Sequence, residues 1–181
     1  PYSASKASSD LLVKAWYKTY NLPILITHCT NNFGPWQFPE KLIPLVIYKC
    51  VTRQKIPIYG KGDNIRDWIF VLDHVNALEK VLRNGKIGNT YNISTKNELT
   101  NLQIVNYICD FFNKKNNKKF DYKKLIIFVK DRKGHDFRYA INNNKIVKNL
   151  DFKYKKNFKN KLNKTIKWYL KNYAWLIKKI K

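Results

Sequence analysis

Residues 1–39 read PYSASKASSDLLVKAWYKTYNLPILITHCTNNFGPWQFP, and this stretch decides the fold. Ala7, Leu11, Val13, Ala15 and Tyr17 recur near helical spacing over residues 3–20, and Asn21 followed by Pro23 stops the helix. Leu22–Cys29 is a short apolar run rich in Ile, with the length and residue types of a buried strand. Thr30–Pro39 carries Asn-Asn, Gly-Pro and Phe-Pro, which make it a loop at the strand's C-terminal end. The rest of the chain repeats this alternation. Helices are predicted over Leu42–Thr52, His74–Arg83, Asn101–Asn113 (with Asn101 as N-cap), Asn142–Leu150 and Asn163–Ile180. Strands are predicted over Ile56–Tyr59, Trp68–Val71, Thr90–Ser94 and Leu125–Val129, and Lys114–Lys119 reads as a polar basic linker. The class is α/β. None of the six glycines falls in a GxGxxG pattern, so the first strand–helix unit of a nucleotide-binding domain is not among these residues, and the parallel sheet is expected to be incomplete.

The 181 residues are 44% hydrophobic and 15% aromatic, enough for one sizeable core and unlike a disordered polycation. No run of eighteen apolar residues offers a membrane span, and no apolar stretch with a cleavage site opens the chain. The first residue is Pro1 and the chain has no Met, so it is expected to be part of a longer protein. Cys29, Cys50 and Cys109 are odd in number and widely spaced, as in a reducing cytoplasm, and each sits in an apolar run as a small buried hydrophobe. His28, His74 and His135 lack metal-ligand spacing, so no metal is expected.

The net charge is +24, and it is uneven. Residues 114–181 hold 23 Lys and Arg against 4 Asp and Glu, while residues 1–113 hold 13 against 8. Of the 36 basic residues only five are Arg, whose planar fork suits phosphate and guanine edges. A solvated lysine face is the plainer reading, with nucleic acid bound only non-specifically.

Tyr2 and Lys6 form a Tyr-x-x-x-Lys pair, which a helix places on one face. A cation beside a phenol stabilises the phenolate, lowering the tyrosine pKa and making it a usable general base. Alone, the pair is common in a chain with 12 Tyr and so many Lys. Its surroundings are more specific. Pro1-Tyr2-Ser3-Ala4-Ser5-Lys6-Ala7 resembles the active-site helix of the extended short-chain dehydrogenase/reductases. Five further blocks occur in order: Asn31-Asn32-Phe33-Gly34-Pro35, Phe38–Pro44, Pro57–Gly62, Ile65-Arg66-Asp67-Trp68 and Asp131–Asp136. From Pro1 to about Leu170 the chain is similar to the C-terminal half of the dTDP-glucose 4,6-dehydratase branch of that family.

The resemblance implies an NAD-dependent enzyme of deoxysugar and rhamnose biosynthesis, a hydro-lyase converting dTDP-glucose to its 4-keto-6-deoxy product. Tyr2 would be the base at the sugar C4 hydroxyl, and Lys6 would hold the nicotinamide ribose and lower the Tyr2 pKa. Cys29 would make a backbone contact under the nicotinamide. Asn31, Lys41, Tyr59, Arg66, Asn101, Arg132 and His135 would hold the sugar nucleotide, the arginines on the diphosphate and Tyr59 in the thymine pocket. The resemblance further implies residues 1–181 as the C-terminal half of an epimerase/dehydratase domain, with the last sheet strands and a small substrate-binding lobe. It implies a cytoplasmic homodimer when whole, with residues 3–20 in the interface, and an inactive chain when these residues stand alone. Phe33 and Trp36 depart from the family's usual Tyr, and Ser94-Thr95 replaces a Gly-Gly, which puts a turn in question.

Taken singly, Lys41 reads as solvated, Arg66 as part of a structural ion pair, His135-Asp136 as a loop pair, Asn101 as a helix cap and Tyr59 as core or strand surface. Trp168, Tyr169, Tyr173 and Trp175 read as packing. Other readings are a related sugar-nucleotide epimerase or decarboxylase, a basic nucleic-acid-binding module, or an inactive remnant.

Overall fold

A computed structural model describes residues 1–180. Helix α1 (Tyr2–Tyr20) leads through a left-handed Asn21 to strand β1 (Ile26–Cys29), shorter than the apolar run suggests because Pro23 interrupts it. The predicted loop after β1 contains a strand, β2 (Asn31–Phe33), formed because it finds a partner and not through local propensity. Helix α2 (Leu42–Thr52) matches its predicted bounds. Pro44 lies in the first turn, where a missing N–H costs nothing, and left-handed Arg53 closes the helix. Strand β3 (Ile56–Tyr59) ends at Gly60, as expected. Strand β4 (Ile65–Phe70) is longer than predicted and runs directly into α3 (Val71–Asn84), then β5 (Thr90–Ile93).

Strand β6 (Glu98–Thr100), too polar to read as a strand, precedes α4 (Asn101–Lys115). The α4 cap is Thr100, not Asn101. The Thr100 hydroxyl accepts from Gln103 N (3.1 Å) and Gln103 Oε1 accepts from Thr100 N (2.8 Å), a reciprocal capping box that moves Asn101 into the first helical position. A 3-10 turn (Tyr122–Leu125) leads to β7 (Ile126–Val129), followed by β8 (Arg138–Tyr139) and α5 (Asn144–Leu150). The predicted final helix is two, α6 (Phe158–Lys171) and α7 (Tyr173–Ile180), broken at Asn172, whose side chain donates to Trp168 O (2.9 Å).

The strands make three small assemblies. β1 pairs in parallel with β5, and β3 with β7. β4 lies between β2 (parallel) and β6 (antiparallel), with β8 running parallel to it at Ile65 and Arg66. The larger core packs α2, α4 and α6 over β3, Phe33 and Trp68, with Ile43, Ile47, Ile104, Ile108 and Ile166 fully buried. Each such side chain contributes about 1.5–3 kcal/mol by leaving water. The smaller core joins α3 and α5 to β5 through Ala77, Val81, Tyr91, Ile93, Ile146 and Phe152. Cys50 and Cys109 lie buried side by side in the larger core, where the hydrogen bond with Cys109 and then burial push the Cys50 thiol up; Cys29 is half-buried. Trp168, Tyr169 and Trp175 pack on one another, with Trp36 against the two tryptophans.

The Ser94-Thr95 turn is held by its hydroxyls. Ser94 Oγ donates to the buried Asp67 carboxylate and Thr95 Oγ1 to Trp68 O (3.0 Å), while Asp67 also accepts from Asn97 N (2.9 Å). The left-handed position falls one residue later, at Lys96, so no glycine is needed. No helix is long and apolar enough to cross a membrane among the described residues.

Candidate functional site

Helices α2 and α4 both begin at one edge of the lobe, where β3 ends and β4 starts. Their first turns, the β2 segment and the loop after β7 enclose an open cavity of about 520 Å³. Asn31, Lys41, Tyr59, Arg66, Asn101, Arg132 and His135 all line it. These seven come from five separate elements and the loop before β8. The structure brings every predicted sugar-nucleotide residue to one place.

Arg66 reaches the cavity from β4. Its Nη1 donates to Ile65 O (2.7 Å) and its Nη2 to Asp136 O (2.7 Å), which ties β4 to the loop carrying Arg132 and His135. Burial draws the Arg66 pKa below its ordinary value; Asp136 opposes this and Arg132 adds to it. The Arg132 guanidinium sits 4.9 Å from the centre of the Tyr59 ring, and His135 meets that ring edge-on at 6.5 Å. His135 Nδ1 lies 2.8 Å from Asp131 Oδ1, which also accepts from Arg132 N (2.7 Å), and the His135 contact leads in holding the Asp131 carboxyl below the usual range. Lys41 pairs with its neighbour Glu40 at 2.6 Å. Among the described residues neither Arg66 nor Arg132 forms an ion pair with a carboxylate.

Lys41 is the N-cap of α2 and Asn101 the first residue of α4, so the N–H ends of two helices face the same cavity as the two arginines. Helix N-termini and guanidiniums without a carboxylate partner both favour anions, so the cavity has the chemistry to take a diphosphate. Flat Tyr59, at the end of β3 and partly exposed, gives an aromatic wall for a base.

Tyr2 and Lys6 lie elsewhere. They occupy one face of the first turns of α1, exposed, outside the cavity lining. Cys29 ends β1, and its carbonyl accepts from the Tyr139 hydroxyl at 3.4 Å. Burial raises the Tyr139 pKa, with Cys29 and then Tyr2 adding to it, so the phenols of Tyr139 and Tyr2 lie in the same region. Helix α1 buries none of its residues; it is joined to β1 by His28 Nε2 and Asp10 Oδ2 at 2.7 Å.

Sequence reasoning missed Asn32, Gln37 and Trp68, which also line the cavity. Asn32 Oδ1, Gln37 Oε1 and Trp68 Nε1 are buried without partners. Trp68 was findable, since a strand places it on the same face as Arg66, two residues before it. Tyr139 was also missed. No group of three His, Cys, Asp or Glu side chains gathers as a metal site among the described residues.

Parallel strand–helix units with a polar cavity between helix N-termini make this the C-terminal architecture of the extended short-chain dehydrogenase/reductases. Residues 1–165 match the family model described as GDP-mannose 4,6 dehydratase, and the chain belongs to that family. A dTDP-glucose 4,6-dehydratase from Salmonella typhimurium is 52% identical over 176 residues, covering 97% of this chain and 49% of the relative. The dTDP-glucose 4,6-dehydratase of Bacillus anthracis, solved with NAD, superposes with a TM-score of 0.86 at 46% identity, over 97% of this chain and 53% of that one. The Streptomyces venezuelae enzyme of the same name, also with NAD bound, gives 0.87 at 38% identity, over 97% and 52%. The chain spans about half the length of the curated relatives it matches.

Proposed function

We propose that these residues form the C-terminal half of an NAD-dependent dTDP-glucose 4,6-dehydratase, a hydro-lyase that makes a 4-keto-6-deoxy sugar nucleotide for deoxysugar biosynthesis. The observation that carries this reading is the convergence of seven residues, drawn from ordered sequence blocks, on one cavity with two unpaired arginines and two helix N-termini. Arg66 and Arg132 hold the diphosphate, Lys41 adds charge at its edge, Tyr59 and His135 flank the thymine, and Asn31 and Asn101 donate to the nucleotide. The names of the relatives, including those solved with NAD, support the same substrate and cofactor.

The residues at the C-terminal end of β1 fit the nicotinamide end of NAD: Cys29 is half-buried, and next to it Asn32 keeps a buried, unpartnered oxygen. Bound there, NAD would supply the acceptor, and then the donor, of the hydride exchanged with the sugar. Tyr2 accepts the proton of the C4 hydroxyl at its phenolate oxygen. Lys6, one turn along α1, favours that phenolate and donates to the ribose. The acid and base of water elimination, and the adenosine site, come from the half of the enzyme outside these residues, so these residues alone do not turn over. The complete enzyme is a cytoplasmic homodimer with the exposed apolar side chains of α1 (Leu11, Leu12 and Trp16) in its interface.

The test is the complete protein carrying Tyr2→Phe, assayed for the 4-keto product from dTDP-glucose. Removal of a catalytic general base costs about 10²–10⁴ in turnover, with dTDP affinity kept within about threefold. Unchanged turnover refutes the role of Tyr2, and wild-type protein that epimerises the sugar without dehydrating it refutes the activity.

A further inference from the structure

A second concave surface lies away from the cavity described above and shares none of its lining residues. Helices α4 and α6 leave a groove made of two adjoining hollows of about 520 and 560 Å³, both lined by Tyr107 and Lys159. Six lysines border it: Lys96, Lys114, Lys115, Lys156, Lys159 and Lys167. Its carboxylates are already neutralised from outside, Asp110 by Lys123 at 2.8 Å and Glu98 by Arg138 through two bonds of 2.8 Å. None of the six lysines pairs with a carboxylate among the described residues. Between the lysines lie aromatic rings: Tyr107, with Lys159 Nζ 4.9 Å from its centre, and Phe111.

We propose that this groove docks a single-stranded polynucleotide. Phosphates displace the counterions of the unpaired lysines, and bases lie against Tyr107 and Phe111, the pairing of basic groove and aromatic platform that suits a sequence-tolerant strand. A groove is the wrong shape for a flat membrane, and its rim carries lysines in place of apolar side chains that would enter a bilayer. It contains no arginine, the commonest reader of guanine edges, and stacking on aromatic faces tolerates any base, so binding is expected to depend little on sequence. The inference is independent of the dehydratase reading, because the two surfaces are separate.

The test uses the complete protein and a fluorescein-labelled oligo-uridine of about 16 nucleotides, followed by anisotropy. Six phosphate contacts give a log–log salt slope of about −4, hence about 250-fold weaker binding at 200 mM than at 50 mM salt. The triple variant Lys114→Glu/Lys159→Glu/Lys167→Glu is expected to bind about 30-fold or more weakly, with the slope reduced by about 2. A charge-matched control, Lys55→Glu/Lys86→Glu/Lys148→Glu, changes three exposed lysines outside the groove and keeps affinity within about threefold. Thermal unfolding of both variants checks that they fold. Equal losses in both triples overturn the proposal in favour of net charge alone. No loss in the groove triple, or tighter binding to phosphatidylserine vesicles than to the oligonucleotide, overturns it as well.

Discussion

Replacing Arg66 by Ala in the complete protein isolates the cavity proposed to take the nucleotide. Arg66 is held by two carbonyls at 2.7 Å, has no carboxylate partner and loses basicity through burial, so its charge is poised for an anion. A hydrogen bond to a charged group is worth about 1.5–3 kcal/mol. At about 1.4 kcal/mol per tenfold in affinity, the loss of one such bond weakens dTDP binding about 10- to 150-fold. The substitution also frees the Asp136 carbonyl, but Asn64 Nδ2 still donates to it at 3.2 Å, so the loop bearing Arg132 and His135 keeps an anchor. Arg66→Lys, which keeps the charge and loses the fork, falls between the two, about 3- to 10-fold weaker than wild type. Isothermal titration calorimetry with dTDP reads all three proteins. An Arg66→Ala protein with an unchanged unfolding temperature and a Kd within about twofold of wild type refutes the diphosphate assignment.

Two further outcomes follow from local geometry. Thr100→Ala breaks the reciprocal capping box of α4 and is expected to cost about 1 kcal/mol, read as a lower denaturation midpoint at unchanged m value; it also loosens Asn101 at the cavity edge. The bidentate Arg138 contact holds the Glu98 carboxyl below the usual range, so the pair stabilises the fold above the unfolded-state value near 4.3 and is lost as pH falls through the lower folded value. Glu98→Gln is therefore expected to flatten the loss of thermal stability between about pH 5 and pH 3, and an unchanged slope counts against this contribution.

Much of the fold was readable where local chemistry and tertiary packing agree. Leu42–Thr52 and Ile56–Tyr59 have their predicted bounds because Pro44, Arg53 and Gly60 punctuate them within a turn. Asn31–Phe33, Glu98–Thr100 and Arg138–Tyr139 escaped notice because two or three residues are too few to show an alternating pattern; each is held as a strand by pairing with β4. Asn172 hid a helix break within a continuous apolar pattern. The cavity residues were legible as blocks in order, a pattern no single residue displays. Gln37 and Tyr139 were not: Gln37 donates to Asn32 O at 2.8 Å only because the intervening loop folds back, and Tyr139 depends on Cys29 O, 110 residues away.

The Tyr169 hydroxyl donates to Gln37 O at 2.7 Å and reaches Gly34 O at 3.3 Å, pinning the loop after Asn31 and Asn32 to helix α6. Every cavity residue is synthesised before Tyr169, the last of them, His135, well upstream. On the ribosome the pocket's parts are therefore all present before the residue that clamps its front loop has emerged. Closure of the cavity is a late event in biosynthesis: a nascent chain stalled within α6 ahead of Tyr169 carries every cavity-lining side chain but lacks the hydroxyl that holds the Gly34–Gln37 loop.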